Sequence, residues 1–317
     1  DNSYIETGWT ILKQLWEQDL LYQGYKVTPH CPRCVTSLSS HELSLGYRDD
    51  TPDPSIYVRF PLNSEHQPLN HSLATELGWD SSRNTWSTGI PSILAWTTTP
   101  WTLTANTGLV VSPEAEYVLA VSNNNSSRER VILAKERFDQ VLGEEWGILH
   151  HFPGNALAGI EYNPPYENVR DHNGTSFFHH VLTADFVSMD DGTGVVHTAP
   201  AYGTEDQELG QANDLPTVHT VDLQGNLIGD FPGAGTFVKQ ADLALVDDLS
   251  KRGLLFREGT ILHTYPFCWR CETPLLYYAK PSWYIRTTAV KDQLVTANQQ
   301  INWYPGHIQE GRFGEWL

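Results

Sequence analysis

A cluster of threonines is the segment of this sequence best suited to chemistry. Residues 96–102 read WTTTPWT, with four threonines in six positions directly after an apolar run. Hydroxyl groups at the end of a strand offer hydrogen-bond donors and acceptors in a fixed array, which suits a ribose, a carbonyl or a bound water. Pro100 ends the strand and stiffens the turn. Ordinary β-propensity explains the threonines equally well, so the pattern alone leaves a functional role open.

A second candidate segment combines glycines, a histidine and a carboxylate within residues 191–206. Gly192 and Gly194 allow backbone to approach a ligand closely, His197 ends a predicted strand, and Asp206 begins a predicted helix. A carboxylate there can bind a cation such as an α-ammonium group, or it can simply complement the helix dipole. When each residue is considered by itself, a structural role is the more frequent explanation: Asp206 would cap the helix and His197 would pack against its neighbours. The glycines do not form a dinucleotide-binding fingerprint, because the third glycine and the helix that follows it are missing.

The cysteines form two pairs with the spacing of a metal site. Cys31 and Cys34 make one Cys-x-x-Cys pair, Cys268 and Cys271 make the other, and no cysteine is left over. Two such turns can supply four thiolates to a tetrahedral zinc ion. Two disulfides or idle thiols are the alternative, which the missing secretory signal disfavours. If both pairs share one metal, everything between them is an inserted domain.

Hydrophobic patterns predict the elements that position these groups. Apolar residues at helical spacing, with the expected end signals, predict helices over residues 4–21, 205–213, 240–252 and 287–300. Alternation and short apolar runs predict strands over residues 55–60, 93–96, 117–121, 130–133, 176–182, 194–197, 254–257, 261–265, 275–279 and 283–286. The turn-rich residues 49–54 mark a boundary, and the polar residues 63–88 are predicted to form a surface excursion.

These elements predict a mixed α+β fold in three consecutive parts. Residues 1–54 and 261–317 form the two halves of a small zinc-binding module, and residues 55–260 form a β-rich domain inserted into it. An insertion of this length is tolerable because loop-closure entropy grows only logarithmically with length.

Composition and charge limit the classes of function. The formal net charge of −18 argues against a protein that binds nucleic acid mainly through its own charge. No apolar run of about 18 residues is present to span a membrane, and no signal peptide is recognisable. The chain starts without Met inside a predicted helix, so we expect a fragment of a larger cytoplasmic protein.

The candidate segments resemble the editing region of isoleucyl-tRNA synthetases over nearly the whole chain. The segment WTTTPWTLTANT closely resembles the threonine-rich peptide of that editing domain, and GTGVVHTAPAYGTED resembles the second wall of its pocket. The stretches around both cysteine pairs are similar to the zinc-binding connective segments of the family. Residues 302–317 are similar to the segment that leads back toward the catalytic domain in that family. Leucyl and valyl relatives carry arginine-containing versions of the threonine segment. Thr104 departs from the pattern, because a proline is usual there.

The resemblance implies an aminoacyl-tRNA hydrolase that deacylates mischarged Val-tRNA(Ile), with valyl-adenylate left open as a second substrate. The implied fold is a β-barrel-like editing domain with peripheral helices, inserted into a small zinc-ribbon-like module. Asp206 would hold the α-ammonium group of the valyl ester, and His197 would crowd the side chain and exclude isoleucine. The implied catalytic residues are Thr98, Thr99 and Asp206. The implied substrate-binding residues are Trp96, Thr97, Thr102, Gly192, Thr193, Gly194 and His197. The implied ligands of a structural Zn²⁺ are Cys31, Cys34, Cys268 and Cys271.

The implied partners are the 3′ end of tRNA(Ile) with its valyl ester and the remainder of the parent synthetase, in a monomeric protein without a membrane anchor. No catalytic triad is evident, so we expect hydrolysis without a covalent intermediate. No signature for ATP-dependent activation is present, so the chain alone should not charge tRNA. Two alternatives stay open: a module that docks the tRNA end without chemistry, and an editing domain of the valyl or leucyl type.

Overall fold

The structure is a computed structural model that describes residues 1–63, 71–83, 85–87, 89–123, 128–167 and 179–317. The helices are α1 (Asn2–Glu17), α2 (Ser40–Ser44), α3 (His71–Glu76), α4 (Phe138–Val141), α5 (Thr204–Ala212), α6 (Val238–Lys251), α7 (Lys291–Gln299) and α8 (His307–Glu310). The strands are β1 (Leu21–Cys31), β2 (Thr36–Ser37), β3 (Tyr47–Pro61), β4 (Trp79–Asp80), β5 (Thr85–Trp86), β6 (Ser92–Thr97), β7 (Gly108–Val111), β8 (Glu116–Ser122), β9 (Arg130–Ala134), β10 (Trp146–Pro153), β11 (His180–Thr183), β12 (Val195–Thr198), β13 (Leu255–Pro266) and β14 (Leu276–Ile285). Short 3-10 helices span Pro100–Ala105, Lys135–Arg137, Gly154–Leu157 and Thr287–Val290.

The strands belong to several separate sheets. Within the described residues they form a six-stranded sheet in the order β10-β8-β9-β6-β3-β13, the three-stranded sheets β11-β7-β12 and β14-β1-β2, and the pair β4-β5. The predicted mixed α+β class is therefore confirmed. The predicted barrel is wrong for the described strands, because β10 and β13 end the large sheet as edges and β7, β11 and β12 pair with one another instead of joining those edges.

The central strands of the large sheet are covered on both faces. Along β9, Ile132 and Ala134 belong to the main hydrophobic core, whereas Val131 and Leu133 belong to a second cluster. Successive side chains of a strand point to opposite faces, so a strand covered on both sides needs a continuous apolar run. The sequence RVILA meets this requirement, and the long apolar run of β8 does the same.

Strand pairing brings the two candidate segments together although they are far apart in sequence. β6 runs antiparallel to β3, with Ile56 opposite Thr97, and therefore delivers the threonine cluster at its end. β7 begins shortly after the 3-10 helix Pro100–Ala105 and pairs antiparallel with β12, with His197 opposite Leu109. The end of β12 consequently lies beside the turn between β6 and β7.

The turn predicted over residues 49–54 is wrong. β3 continues through this stretch and pairs with β13 on one side, with Pro52 opposite Leu262 and Pro54 opposite Thr260. On its other side β3 pairs with β6 only from Ile56 onward in the described part of the chain. Proline lacks the amide donor that a second neighbour would need, so an edge position tolerates it.

The predicted surface excursion over residues 63–88 is wrong for its described part, and residues 64–70, 84 and 88 lie outside the described residues. Leu73, Leu77, Trp79 and Trp86 are buried in the main core. The rings of Trp79 and Trp86 pack edge to face with centroids 5.2 Å apart. The polar composition misled the prediction because the few apolar residues in the described part of this segment point inward.

The other predicted elements are mostly present with shifted ends. The strands predicted over residues 254–257 and 261–265 are one strand, β13, and those predicted over 275–279 and 283–286 are one strand, β14. The predicted helix 287–300 begins as a 3-10 turn and continues as α7. The strand predicted over residues 176–182 corresponds to β11, and residues 176–178 lie outside the described part.

The chain divides into two compact units. One comprises Asp1–Lys26 with Lys280–Leu317, and the other comprises Val27–Ala279. Both cysteine pairs and both candidate segments belong to the second unit. The domain boundaries near residues 54 and 260 stay a prediction.

Helix α1 of the first unit buries none of its residues. Its N-terminus is capped by Asp1, whose carboxylate accepts the amide of Tyr4 at 3.1 Å. Trp9 is 68% exposed, and Trp16 packs edge-on against Trp283 with centroids 5.8 Å apart. No helix in the described part of the chain has both the length and the apolar character that a membrane span requires.

Replacing Leu77 tests whether the segment between β3 and β6 is part of the core. Leu77 is fully buried, so Leu77→Ala should lower the free energy of unfolding by about 2–5 kcal/mol. The neighbouring Glu76 is exposed, and Glu76→Ala should stay within about 0.5 kcal/mol of the parent. Urea denaturation followed by fluorescence measures both. Equal stability of the two variants would contradict the packing described here.

Candidate functional site

A cavity of about 350 Å³ lies between the threonine segment and residues 186–206. Its volume falls near the lower end of the range of about 300–1,000 Å³ that is typical of small-molecule sites. The structure brings every predicted catalytic and substrate-binding residue to its walls: Trp96, Thr97, Thr98, Thr99, Thr102, Gly192, Thr193, Gly194, His197 and Asp206. The two segments that sequence analysis singled out therefore form one site.

The first wall is built where β6 turns into a short helix. Pro100 opens the 3-10 helix Pro100–Ala105, a position where its missing amide costs no hydrogen bond. The amide of Thr102 bonds the carbonyl of Thr99 at 3.0 Å, which closes the first turn. Because of this turn, the hydroxyls of Thr99 and Thr102 lie next to each other at the cavity.

The threonine hydroxyls form a chain with one direction. Thr102 donates its hydroxyl proton to the carbonyl of Thr99 at 2.8 Å, so its oxygen is left to accept bonds. Thr99 Oγ1 lies 3.3 Å from Thr102 Oγ1 and therefore donates its proton to that oxygen. Thr97 Oγ1 lies 3.3 Å from Thr99 Oγ1 and donates its proton to Thr99 in the same way. Thr97 also accepts the amide of Thr99 at 3.1 Å. These three hydroxyls are therefore largely committed to one another.

His197 completes this chain from the other segment. Its Nε2 lies 2.8 Å from Thr102 Oγ1, and because the proton of Thr102 is already donated elsewhere, Nε2 carries the hydrogen. Burial lowers the pKa of His197 to about 4, so the ring is neutral at pH 7. A neutral ring does not repel a bound cation.

Asn106 and Tyr162 support the same tautomer of His197 from behind the cavity. The Tyr162 hydroxyl donates to Asn106 Oδ1 at 2.7 Å, which turns the amide nitrogen of Asn106 toward the carbonyl of Gly108 at 2.9 Å. The same nitrogen lies 3.4 Å from His197 Nδ1 and can only donate to it. Nδ1 is therefore the acceptor, in agreement with a hydrogen on Nε2.

The second wall is a glycine loop held from outside the cavity. Arg137 donates through Nε to the carbonyl of Gly192 at 3.2 Å, and the Tyr117 hydroxyl donates to the carbonyl of Gly194 at 2.6 Å. Gly192 has φ +58 and lies against Trp96, whose ring atom Cε3 would be 3.0 Å from an added Cβ. Trp96 is itself fixed by a 2.9 Å bond from its Nε1 to Ser55 Oγ. The loop has no room for larger residues.

Asp206 provides a carboxylate at the start of α5. Its Oδ2 accepts the amide of Ala199 at 2.9 Å, and Gly203 leaves room for it, since a Cβ there would lie 2.8 Å from Asp206 Cγ. Burial raises the pKa of Asp206 to about 6 against the lowering effect of the Ala199 amide. The group is mostly ionised at pH 7 and carries a charge that lacks full solvation. Asp191 also lines the cavity but is exposed.

Thr98 differs from the other threonines of the segment. It is half-buried and lines the cavity, and its hydroxyl makes no hydrogen bond within the described residues. It is free to bind a water or a polar atom of a ligand. The arrangement can therefore hold a cation at Asp206 and a polar group at Thr98, next to an uncharged histidine.

Sequence reasoning missed the residues that support the site. Asn106 lay inside the quoted threonine segment, but Tyr162, Tyr117 and Arg137 carried no local signal, because each acts through a partner distant in sequence. Thr104, the departure from the family pattern, is buried and bonds the carbonyl of Trp101 at 2.8 Å and Thr220 Oγ1 at 2.7 Å. Its hydroxyl links the threonine segment to a neighbouring loop.

The four cysteines form a second candidate site. Their sulfur atoms all lie within 4.8 Å of one another, and none is in a disulfide. Thiolates around a tetrahedral zinc ion lie about 3.8 Å apart, so the cluster fits such an ion. The residue after each pair, Val35 at φ 54 and Glu272 at φ 59, adopts the left-handed conformation. This conformation is strained for a β-branched valine and is the kind of strain that a ligand site retains.

A glycine substitution tests how tightly the second wall is packed. Gly194 and Gly143 have nearly the same backbone, φ +70 and φ +72, but a Cβ at Gly194 would lie 2.3 Å from Ala134 Cβ whereas Gly143 faces open space. Both alanine variants carry left-handed strain of about 1–2 kcal/mol. Gly194→Ala should lose about 1–3 kcal/mol more of unfolding free energy through the clash. Equal losses in thermal or urea denaturation would show that the wall can move aside.

Comparison with known proteins places this chain in a family. The family described as tRNA synthetases class I (I, L, M and V) matches residues 1–317. The isoleucine–tRNA ligase of Dehalococcoides mccartyi is 50% identical over 100% of this chain and 32% of its own length. That of Thermus thermophilus is 45% identical over 99% of this chain and 27% of its own length. The chain thus spans about a third of the length of these curated relatives.

A solved structure shows the same fold. The crystal structure of GlLeuRS-CP1 superimposes with a TM-score of 0.51 at 14% identity, over 65% of this chain and 99% of that one. The resemblance to isoleucyl-tRNA synthetases is confirmed by the relatives, which match the whole length of the chain. The chain belongs to the class I tRNA synthetase family of the isoleucyl, leucyl, methionyl and valyl enzymes.

Proposed function

We propose that this chain is an editing hydrolase that removes valine from mischarged tRNA(Ile). The observation that carries the proposal is a single cavity lined by a threonine wall, a neutral histidine and the half-buried Asp206. An aminoacyl ester on a terminal adenosine presents matching groups: a cationic amine, an apolar side chain and a polar sugar. The relatives named as isoleucine–tRNA ligases support the isoleucyl type over the valyl and leucyl alternatives.

The need for a second site follows from the size of the substrates. A hydrophobic pocket distinguishes valine from isoleucine by only about 1–3 kcal/mol, a limit for which isoleucyl-tRNA synthetases are themselves the standard example. A smaller second cavity that admits valine and excludes isoleucine removes the remaining errors. In this cavity, the His197 ring would occupy the space that the extra methylene of isoleucine requires.

The residues take separate roles in the reaction. Asp206 binds the α-ammonium group, Thr98 and Thr99 position the ester and a water, and Trp96, Thr97, Thr102 and the backbone of Gly192, Thr193 and Gly194 surround the adenosine. Water attacks the ester carbonyl, and the bond from the carbonyl carbon to the ribose oxygen breaks. The ribose oxygen takes up the proton that the water gives up, which leaves free valine and a ribose hydroxyl. An aminoacyl ester is already activated, so orientation and polar contacts supply the catalysis without a nucleophilic side chain.

The remainder of the parent synthetase would supply the affinity for tRNA. This chain carries a net charge of −18, and a strongly acidic surface repels phosphates at long range. Only the acylated 3′ end needs to enter the cavity. The chain would then act as a monomeric unit on an end delivered by other domains.

Deacylation of Val-tRNA(Ile) and Ile-tRNA(Ile) by this chain tests the function. The wild-type chain should release valine and spare isoleucine, and Asp206→Asn should lower kcat/KM about 10- to 100-fold because it keeps the shape but loses the charge that binds the amine. Asp191→Asn is the matched control, since Asp191 lines the same cavity but is exposed. With wild type, kcat/KM should fall as the pH drops below about 6, where Asp206 becomes protonated.

Two outcomes of this assay would contradict the proposal. Binding of the acylated end without turnover would make the cavity a docking module. Equal loss of activity in Asp206→Asn and Asp191→Asn would show that the activity depends on the total negative charge near the cavity and not on the carboxylate of Asp206 in particular.

We also infer that the cysteine cluster binds a structural Zn²⁺ through Cys31, Cys34, Cys268 and Cys271. The four sulfur atoms already lie within 4.8 Å of one another, so a small contraction is enough to surround one ion. The ion would tie together two chain segments separated by the entire inserted region. Its contribution would be to the folding of the cysteine module, not to the reaction.

Metal analysis of the purified chain tests this inference. About one zinc per chain is expected, and Cys268→Ser should lose it together with part of the unfolding free energy. His41→Ala is the control, because this exposed histidine lies near the cluster in sequence but is absent from the group of close ligands. A metal-free chain that forms two disulfides on oxidation would support the alternative pairing.

A further inference from the structure

A buried carboxylate lies behind the threonine wall and outside the cavity. Asp242, on α6, is 2% exposed and does not line the cavity. Its Oδ1 accepts the backbone amide of Trp101 at 2.9 Å, across 141 positions of sequence. Its Oδ2 makes no hydrogen bond in the described part of the chain. An unpaired buried oxygen is unfavourable, so stability alone does not account for a carboxylate at this position.

The amide that Asp242 accepts belongs to the first turn of the threonine helix. Thr99, the residue before this 3-10 helix, makes no side-chain capping bond, and Pro100 has no amide. The amide of Trp101 is therefore the first one at this helix start that needs an acceptor, and no local residue provides it. Asp242 supplies the cap from a different helix.

The capped turn holds both walls of the cavity. Thr102, one residue after Trp101, carries the hydroxyl that accepts from His197 at 2.8 Å. The ring of Trp101 packs edge-on against Tyr202 with centroids 4.9 Å apart, and Tyr202 lines the cavity on the side that carries Asp206. A shift of Trp101 would move Thr102 and Tyr202 together.

A charged group anchors the start of the helix that carries Asp242. Lys239 forms a 2.5 Å ion pair with the buried Asp53 of β3, and His263 of β13 lies 2.9 Å from the other oxygen of Asp53. These contacts fix the first turn of α6 against β3 and β13. Burial raises the pKa of Asp242 to about 7, so its neutral form is well populated at neutral pH and still accepts the amide through its carbonyl oxygen.

We propose that Asp242 is a positioning residue for the reaction in the cavity: it holds the amide of Trp101 and thereby sets the placement of Thr99 and Thr102. This inference rests on the proposed deacylation function. It predicts that an acceptor at this position is required and that a negative charge is not. An asparagine at position 242 should therefore support the reaction as aspartate does, whereas a leucine there should not.

Steady-state deacylation of Val-tRNA(Ile) separates positioning from simple stability. Asp242→Leu should lower kcat at least about 10-fold with KM changed less than about 3-fold, because a small misplacement of reacting groups is costly. Asp242→Asn should retain kcat within about 3-fold. Two controls lie on the same helix. Asp247→Leu makes the same substitution at an exposed site, and Leu249→Ala loses stability at a fully buried site that does not accept the amide of Trp101.

Hydrogen exchange of the Trp101 amide tests the contact itself and needs no activity. The amide should exchange slowly in wild type, Asp242→Asn and Leu249→Ala, and faster in Asp242→Leu. Equal exchange in all variants, or unchanged kcat in Asp242→Leu, would overturn the inference. If the wild-type chain hydrolyses neither ester, the proposed function fails, and a positioning role in the reaction fails with it even where the exchange result supports the contact.

Discussion

The hydrogen bond between His197 and Thr102 is the interaction on which the rest of the site depends. It joins two segments 95 positions apart, each of which is already fixed by its own strand. β7 sets the meeting point, because it follows the threonine helix and pairs with β12 directly. Once Thr102 has donated its proton to Thr99, the tautomer of His197 and the direction of the hydroxyl chain are both determined. The wall is therefore preorganised before any ligand enters.

Solvation explains how a site with few charged groups could bind the proposed aminoacyl ester. Burial keeps His197 neutral and raises the pKa of Asp206, so the cavity offers one poorly solvated negative charge next to an uncharged ring. An ammonium group of a ligand would replace the interactions with water that Asp206 loses on burial. The attraction between the two charges is stronger in a site of low polarity than in water. The overall charge of −18 plays no part in this local recognition, and in the proposed function it leaves the affinity for tRNA to other domains.

The residues that line the cavity could be predicted from sequence, and the residues that support them from behind could not. The threonine segment and Asp206 are recognisable because their residues are consecutive or belong to one short motif. The pairing of Asn106 with Tyr162, and of Trp101 with Asp242, depends on contacts between distant elements that no spacing reveals. The cysteine pairs were predictable as a group because two identical turns with no spare thiol have few explanations. Predicted roles for individual side chains remain proposals.

The errors in the fold prediction have the same origin. Prolines at residues 52 and 54 indicate a turn by composition, but they lie on a part of β3 that, among the described strands, has a neighbour on one side only. The polar segment that contains Leu77 and Trp79 looks exposed by composition, yet these few apolar residues anchor it in the core. In both cases tertiary context overrides the local signal.

A crystal structure with a hydrolysis-resistant analogue would test the central claim most directly. The analogue is an adenosine that carries valine on its ribose through an amide instead of an ester. Its ammonium group is expected to contact Asp206, its isopropyl group to lie against His197, and its adenosine to lie along the threonine wall. An analogue bound outside this cavity, or bound inside it with the ammonium group away from Asp206, would contradict the account.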